Sequence, residues 1–287
     1  MERVGVVVHP TRAVADAVEV LREWTRERGL DLVQIATGQQ PVVAPAGEVG
    51  GEDLIAALGG DGTVLKALHA ARRTTTPVLG VAYGSLGALS AVPQAELRAG
   101  LDRFAAGEWS AQRLPALEVA SGESRPSCAI NDVVLIRRGG TQLMIDVTVD
   151  HDLYAHVAGD GIVIATSLGS SAYSMAAGGP LLAPPTNAFV CTPLAMHGGC
   201  APPVVVGEGQ RVKVRVHPSH GGFELDVDGF KLETEANEFE IGYEGAYATL
   251  VGLDGSCGGL TRLRDRGLIS DSPRIIDEAR REQRAES

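Results

Sequence analysis

Residues 56–64 read AALGGDGTV. An apolar run with Leu54, Ile55 and Leu58 leads into its glycines, and a helical pattern follows them. Three glycines in four residues weaken any regular element, so the corner must offer something else. Where a strand feeds a helix through glycines, backbone N–H groups can face a phosphate that side chains would block. The Walker pattern GxxxxGK[ST] is absent, and no GxGxxG follows the first strand. What remains is Gly59-Gly60-Asp61-Gly62-Thr63, with an acid inside the cradle. An acid repels phosphates, but it has a use if it meets a cation or takes a proton from an attacking hydroxyl, as a kinase base does. The plainer reading is an aspartate capping a helix that opens at Thr63. Spacing alone leaves both open.

Outward from this corner, the first third of the chain alternates strands and helices. Strand-like runs cover 3–8, 32–36, 53–58 and 77–81. Residues 11–28 carry Val14, Ala17, Val18, Leu21 and Trp24 at helical spacing and end at Gly29, and 63–73 reads as a second helix. That alternation implies βαβ units and a parallel sheet. Beyond about residue 112 the period becomes two. Leu143, Ile145, Val147 and Val149 alternate with polar residues, and so do Val212, Val214 and Val216. Residues 224–228 read as the partner strand of 212–216, after a turn at Gly221-Gly222. The expected architecture is α/β, with a parallel-sheet α/β domain over 1–111 and a mainly antiparallel β domain over 112–265. A C-terminal segment, 266–287, is expected to be helical over 273–284 and mobile at its end.

The chain has 287 residues, enough for two domains and a buried core. Apolar residues make up 44 per cent and charged residues 21 per cent, the balance of a globular enzyme rather than a disordered chain. A net charge of −11 argues against a nucleic-acid partner. It does not bar a nucleotide, which arrives with a cation and binds locally to backbone amides. No run of about 18 apolar residues suggests a membrane span, and MERVGVVVHP at the N-terminus lacks a secretory cleavage pattern. Cys128, Cys191, Cys200 and Cys257 form no CxxC pair and read as reduced thiols. These features point to a soluble, cytoplasmic protein.

Three further corners are glycine-rich in the same way, at Gly84-Ser85-Leu86-Gly87, Gly159-Asp160-Gly161 and Gly169-Ser170-Ser171. Any one of them is ordinary turn chemistry; four in one chain, with Asn131-Asp132 opening a strand, are not explained by turns alone. Here the residues carry a resemblance. Gly59-Gly60-Asp61-Gly62-Thr63 resembles the GGDGT signature of the NAD kinase family, whose wider relatives include diacylglycerol kinases, sphingosine kinases and phosphofructokinase. Asn131-Asp132-Val133-Val134, with Arg137 following, resembles that family's Asn-Glu motif. GDGIVIATSLGSSAYSMAAGGP at 159–180 resembles its block around TPTGSTAY. VLGVAYGSLGAL at 78–89 is similar to its GVNxGxLGFL, and CTPLAMH at 191–197 to its Thr-Pro-x-x-x-His. The motifs stand in the family's order over about the first 260 residues.

The resemblance implies the family's fold, an α/β domain followed by an antiparallel β-sandwich. It implies transfer of the γ-phosphoryl of ATP, with Mg2+ or another divalent cation, to the 2′-hydroxyl of the adenosine ribose of NAD, giving NADP. Carried over by motif, Asp61 becomes the catalytic base. Gly59, Gly60, Gly62 and Thr63 form the phosphate-binding loop, with the amides of Gly60 and Gly62 on the phosphates. Asn131 and Asp132 contact the dinucleotide, the carboxylate being suited to ribose hydroxyls. Asp160 faces the nicotinamide side. Ser171, Ala172 and Tyr173 line the adenine pocket, partly supplied by a neighbouring subunit, so a homo-oligomer, dimer or tetramer, is implied. No motif fixes the metal ligands.

The chain departs from the family pattern in several places. Asp132 replaces the usual Glu. Ala82 and Ala88 replace Asn and Phe in GVNxGxLGFL, and loss of an aromatic against a base costs about 1–3 kcal/mol of stacking. Ser167 and Leu168 stand in TPTGS, Pro202 where an arginine is usual, and Phe230 closes what is elsewhere Asp-Gly-Gln. These changes fall on substrate-facing blocks while the phosphate loop stays intact. Phosphoryl transfer needs positioning and charge stabilisation, whereas the acceptor pocket sets specificity separately. Two alternatives therefore stand beside an NAD kinase: a kinase of the same fold acting on another small alcohol, and a non-catalytic NAD(P) sensor. A dehydrogenase is disfavoured because the first turn, His9-Pro10-Thr11-Arg12, lacks glycines. His197, His151 and His156 read as structural or solvated. Tyr83 is a candidate to replace ring area missing at Ala88.

Overall fold

The computed structural model describes all residues except 73, 85–86, 123–124, 218–220, 254–258, 266 and 276–287. Apolar runs buried on both faces make the first strands: β1 (Arg3–Val8), β2 (Asp31–Gln34), β3 (Leu54–Gly59) and β4 (Val78–Ala82). They pair in parallel in the order β2-β1-β3-β4, and a short β5 (Val92–Pro93) adds to β4. Helices α1 (Ala15–Arg28) and α3 (Leu97–Ala105) share one core cluster with the sheet, around Trp24, Leu21 and Leu101. Helix α2 (Asp61–Ala71) packs in a second cluster through Val64, Leu65 and Leu68.

The antiparallel part begins with β6 (Ser110–Ala120), β7 (Ser127–Ala129), β8 (Asp132–Arg137), β9 (Leu143–Val149), β10 (Asp152–Gly159) and β11 (Gly161–Thr166). After a one-turn helix α4 (Tyr173–Ala176) come β12 (Ala188–Leu194), β13 (Val204–Gly207), β14 (Val212–Val216), β15 (Phe223–Val227) and β16 (Phe230–Lys231). The long β17 (Glu238–Gly252) and α5 (Gly259–Asp265) follow. The larger sheet does not stop at the parallel strands. Leu250 of β17 pairs in parallel with Val78, and the sheet continues through β17, β14, β9 and β10, with β6 along β17. The second sheet runs β13-β12-β11-β8-β15-β16. Phe189, Phe239, Leu135 and Val214 fill the core between the two. The fold is an α/β layer followed by an antiparallel sandwich, as the sequence pattern implied.

Three local expectations are corrected. The first helix opens at Ala15, not Thr11, because the His9 ring accepts the Thr11 and Arg12 amides at 3.2 Å each and makes that segment a turn. The second opens at Asp61, with Gly60 as its cap residue and no side-chain cap bond, so Asp61 does not cap a helix beginning at Thr63. Residues 212–216 and 224–228 do not pair. β14 lies between β9 and β17, while β15 lies between β8 and β16 in the other sheet. Each strand buries one apolar face, and Val212, Val214 and Val216 share one core with Leu225 and Val227 of the facing sheet rather than pairing with them side by side. In the tail, 273–275 is helical, and the rest of the expected 273–284 helix lies outside the described residues, as does Cys257.

Candidate active site

Two pairs of strand ends position the site. β3 and β4 are adjacent, with Gly59 opposite Ala82, so the 60–62 corner and the loop after Ala82 emerge together at the carboxyl edge of the parallel strands. β8 and β11 are also adjacent, with Asp132 opposite Ala165, so the corner before β8 and the turn after β11 emerge together.

At the first edge the Asp61 carboxylate accepts the Ala88 amide at 2.9 Å and the Leu89 amide at 3.1 Å. A side chain on Gly87 would collide with that carboxylate, which explains the glycine. Two motifs 27 residues apart are thus joined by one side chain. Thr63 is buried against Gly59, where a Cβ would strike its hydroxyl. Around Gly60 and Gly62 a Cβ would meet nothing within 4 Å. The backbone there is open to an approaching group, and Gly62 sits in the first turn, where amides lack intrahelical acceptors. Ser85 and Leu86 of the facing loop lie outside the described residues.

At the second edge Asp132 is only 8 per cent exposed. Burial, with Asp228 and Asp226 nearby, pushes its carboxyl up to about 6. Among the described residues its carboxylate has no hydrogen-bond or ion-pair partner. The half-buried Asn131 is held by its backbone, its carbonyl accepting the Thr166 amide at 2.9 Å. Asp228 organises this corner. Its side chain is fully buried, and it accepts the amides of Ile130 (2.8 Å), Asn131 (2.7 Å) and Asp132 (3.2 Å). It also contacts Nε2 of His69 at 2.8 Å, and Nδ1 of His69 lies 2.7 Å from the Tyr247 hydroxyl. His69 and Tyr247 line a cavity of about 510 Å3 together with Lys66, Cys128 and Phe230.

The turn after β11 closes on the same corner. Gly169 lies so close to the Asn131 backbone that a Cβ would overlap it, and its amide donates to the Thr166 hydroxyl at 3.1 Å. Ser171 donates to the Leu168 carbonyl at 3.0 Å, while Ala172 and Tyr173 are exposed. Asn131, Asp132 and the 169–173 turn therefore form one group, and Ile130 and Leu168 join them to α2 through a shared core with Val64 and Leu65. Asp160 does not belong to that group within one chain. It lies at the other end of β8, beside Arg137, which it binds at 2.6 Å, roughly 16 Å along the strand from Asp132.

Several departures from the family pattern have structural homes. Leu168 packs on the α2-side core. Phe230 is 47 per cent exposed, with the Lys66 ammonium 5.5 Å from its ring centre. Tyr83 packs in the α1 and α3 cluster, on the opposite side of the sheet from α2. Burial and Asp16 push its phenol up to about 12. His156 binds Asp146 at 2.6 Å, and His197 is exposed. Sequence reasoning missed His69 and Tyr247 and left Asp228 outside the site. For His69 a weak signal existed, a histidine eight positions after Asp61 on the same helix; Tyr247 offered none.

Residues 46–109 match the family described as the ATP-NAD kinase N-terminal domain, and residues 130–256 its C-terminal domain. The NAD kinase of Prosthecochloris aestuarii is 34% identical over 226 residues, 75% of this chain and 79% of that protein. That of Chlorobaculum tepidum is 38% identical over 183 residues, 62% of this chain and 63% of that protein, just under two thirds of its length. In fold, yeast NADH kinase complexed with NADH superposes with a TM-score of 0.78 at 20% identity, over 95% of this chain and 89% of that one. The matches cover both the corner at Asp61 and the corner at Asp132, and the chain belongs to the NAD kinase family, kinases that transfer phosphate from ATP to a hydroxyl of NAD.

Proposed function

We propose that this chain phosphorylates the 2′-hydroxyl of the adenosine ribose of NAD, with Asp61 as the base and the Asn131–Asp132 corner as the dinucleotide's seat. The observation that carries the reading is Asp132, a buried carboxylate without a protein partner among the described residues. Such a group is costly unless a ligand supplies donors, and ribose hydroxyls are donors of the right kind. The open backbone at Gly60 and Gly62 receives phosphates, with Gly59 and Thr63 packed behind it as support. Asp61, pinned by the Ala88 and Leu89 amides, stands at the rim of that opening with its carboxylate in a fixed direction. In that position it orients the attacking hydroxyl and takes its proton.

Among the described residues no three His, Cys, Asp or Glu side chains are grouped to hold a metal. A Mg2+ would be brought and held mainly by the phosphates of ATP. When bound, the ion neutralises charge on the transferring phosphoryl group. Ala172 and Tyr173 are exposed and Asp160 is remote from Asp132 in the same chain, so a second copy of the chain completes the pocket, as a dimer or tetramer. Buried free thiols at Cys128 and Cys191 suit the cytoplasm.

The test is direct. Purified protein is incubated with ATP, magnesium and NAD, and NADP is followed with an NADP-specific dehydrogenase. Turnover that Asp61→Asn abolishes supports the reading. A folded, ATP-binding protein that makes no NADP overturns it and moves the search to other small alcohols.

A further inference from the structure

We infer that His69 is a positioning residue: through Asp228 it locks the Asn131–Asp132 corner to the helix that Asp61 opens. The inference rests on the reading of that corner as the acceptor's seat. Asp228 adopts a left-handed backbone, φ 51°, and its own amide donates to the Asp132 carbonyl at 2.9 Å. Its carboxylate takes three consecutive amides, residues 130–132, so those peptides cannot rotate without breaking charge-assisted bonds. The directions of the Asn131 and Asp132 side chains follow from those peptides.

The remaining contact of Asp228 runs to His69. A carboxylate only accepts, so Nε2 of His69 carries the hydrogen it donates. Tyr247 is buried, which pushes its phenol well above the usual range. Its hydroxyl therefore keeps its proton and is able to donate to Nδ1, 2.7 Å away, when Nε2 carries the ring hydrogen. The His69 and Tyr247 rings also meet edge to face at 5.5 Å. His69 lies eight residues beyond Asp61, about 12 Å along one rigid helix. The chain Tyr247, His69, Asp228 and residues 130–132 thus sets the distance between the proposed base and the proposed acceptor seat. Such a role is distinct from packing, since His69 is partly exposed to the cavity and acts mainly through two polar contacts.

The experiment compares His69→Leu, which removes both contacts, with His69→Gln, which keeps a donor toward Asp228, and Tyr247→Phe, which removes only the outer donor. Hydrogen exchange at the amides of 130–132 is read in the full chain, with 161–166 as internal control. Steady-state kinetics with NAD and ATP are run in parallel. Expected for His69→Leu is at least about tenfold faster exchange at 130–132 with the control unmoved. Its kcat/KM for NAD falls roughly 10–100-fold, while KM for ATP stays put. His69→Gln returns both readouts to within about threefold of wild type, and Tyr247→Phe shows a smaller loss of the same kind. Unchanged exchange at 130–132 overturns the inference. So does faster exchange with wild-type kcat/KM, or a Gln variant as impaired as Leu. If His69→Leu does not fold, the Gln and Phe variants carry the same test. If the wild type makes no NADP, the functional reading fails by itself, and the exchange contrast still decides whether His69 locks the corner.

Discussion

At the corner proposed for the phosphates the Asp61 carboxylate takes the amides of Ala88 and Leu89; at the corner proposed for the acceptor the Asp228 carboxylate takes those of Ile130, Asn131 and Asp132. Both devices are the same: an aspartate flanked by glycine pins consecutive peptides of a distant loop. Hydrogen bonds to a charged group contribute about 1.5–3 kcal/mol each, so both loops are held firmly. The surroundings differ. Asp61 is half-buried beside backbone open at Gly60 and Gly62, whereas Asp228 is sealed and backed by His69 and Tyr247. A pinned carboxylate at an open rim can act on a ligand; a pinned carboxylate in the interior can only hold other groups in place. The same local chemistry yields a candidate base in one region and a scaffold in the other, and burial decides which.

The sharpest way to break this contrast is Asp61→Asn, which keeps the shape and removes the proposed base. Turnover should fall by roughly 10²–10⁴ with the fold intact, and a variant with near-wild-type kcat would end the base role. Next is Gly87→Ala, whose new methyl collides with the Asp61 carboxylate. Misdirecting that group should cost about 10–100-fold in kcat/KM, with ATP binding measured separately; unchanged kinetics would mean the carboxylate's direction does not matter.

Asp132 gives a prediction with a pH sign. Its carboxyl ionises near 6, above its ordinary value, so in that window the folded protein binds the proton more tightly than the unfolded chain. Stability from this group is present below the ordinary carboxylate range and is lost as pH rises through about 6. Asp132→Asn should therefore stabilise the protein by about 2 kcal/mol at about pH 8 and leave stability near pH 3.5 unchanged in thermal melts. It should also lower kcat/KM for NAD about tenfold at about pH 8 and abolish a rising limb near pH 6. A limb that survives the substitution belongs to another group. The smallest effect expected is for Ala88→Phe, which restores a ring where the family usually carries one. KM for NAD should drop a few-fold if base stacking is gained there, and no change would show that Ala88 does not face the acceptor.

The sequence was most informative where local chemistry is decisive. Buried strands read as unbroken apolar runs and half-buried strands read as alternation made the α/β-then-β plan legible from residue order, and the resemblance of the glycine-rich and Asn-Asp motifs to a family singled out both corners. It was least informative where contacts are long-range. Val212, Val214 and Val216 alternate cleanly with charged residues, yet period two says only that one face is buried, not which strand lies alongside. Burial of apolar faces across the sandwich overrode the hairpin suggested by Gly221-Gly222. The same holds for the site. The motif named Asp61 and Asp132, but that Gly87 makes room for one and Asp228 fixes the corner of the other depends on chain segments 27 and 96 residues away meeting in space. His69 and Tyr247, separated by 178 residues, acquire their roles only once α2 and β17 are packed together. Residue order and the motifs that resemble the NAD kinase family indicated the family and its fold. Only the tertiary structure decided which carboxylate faces an open rim and which is sealed, because burial is a property of the packed whole and not of any stretch of sequence.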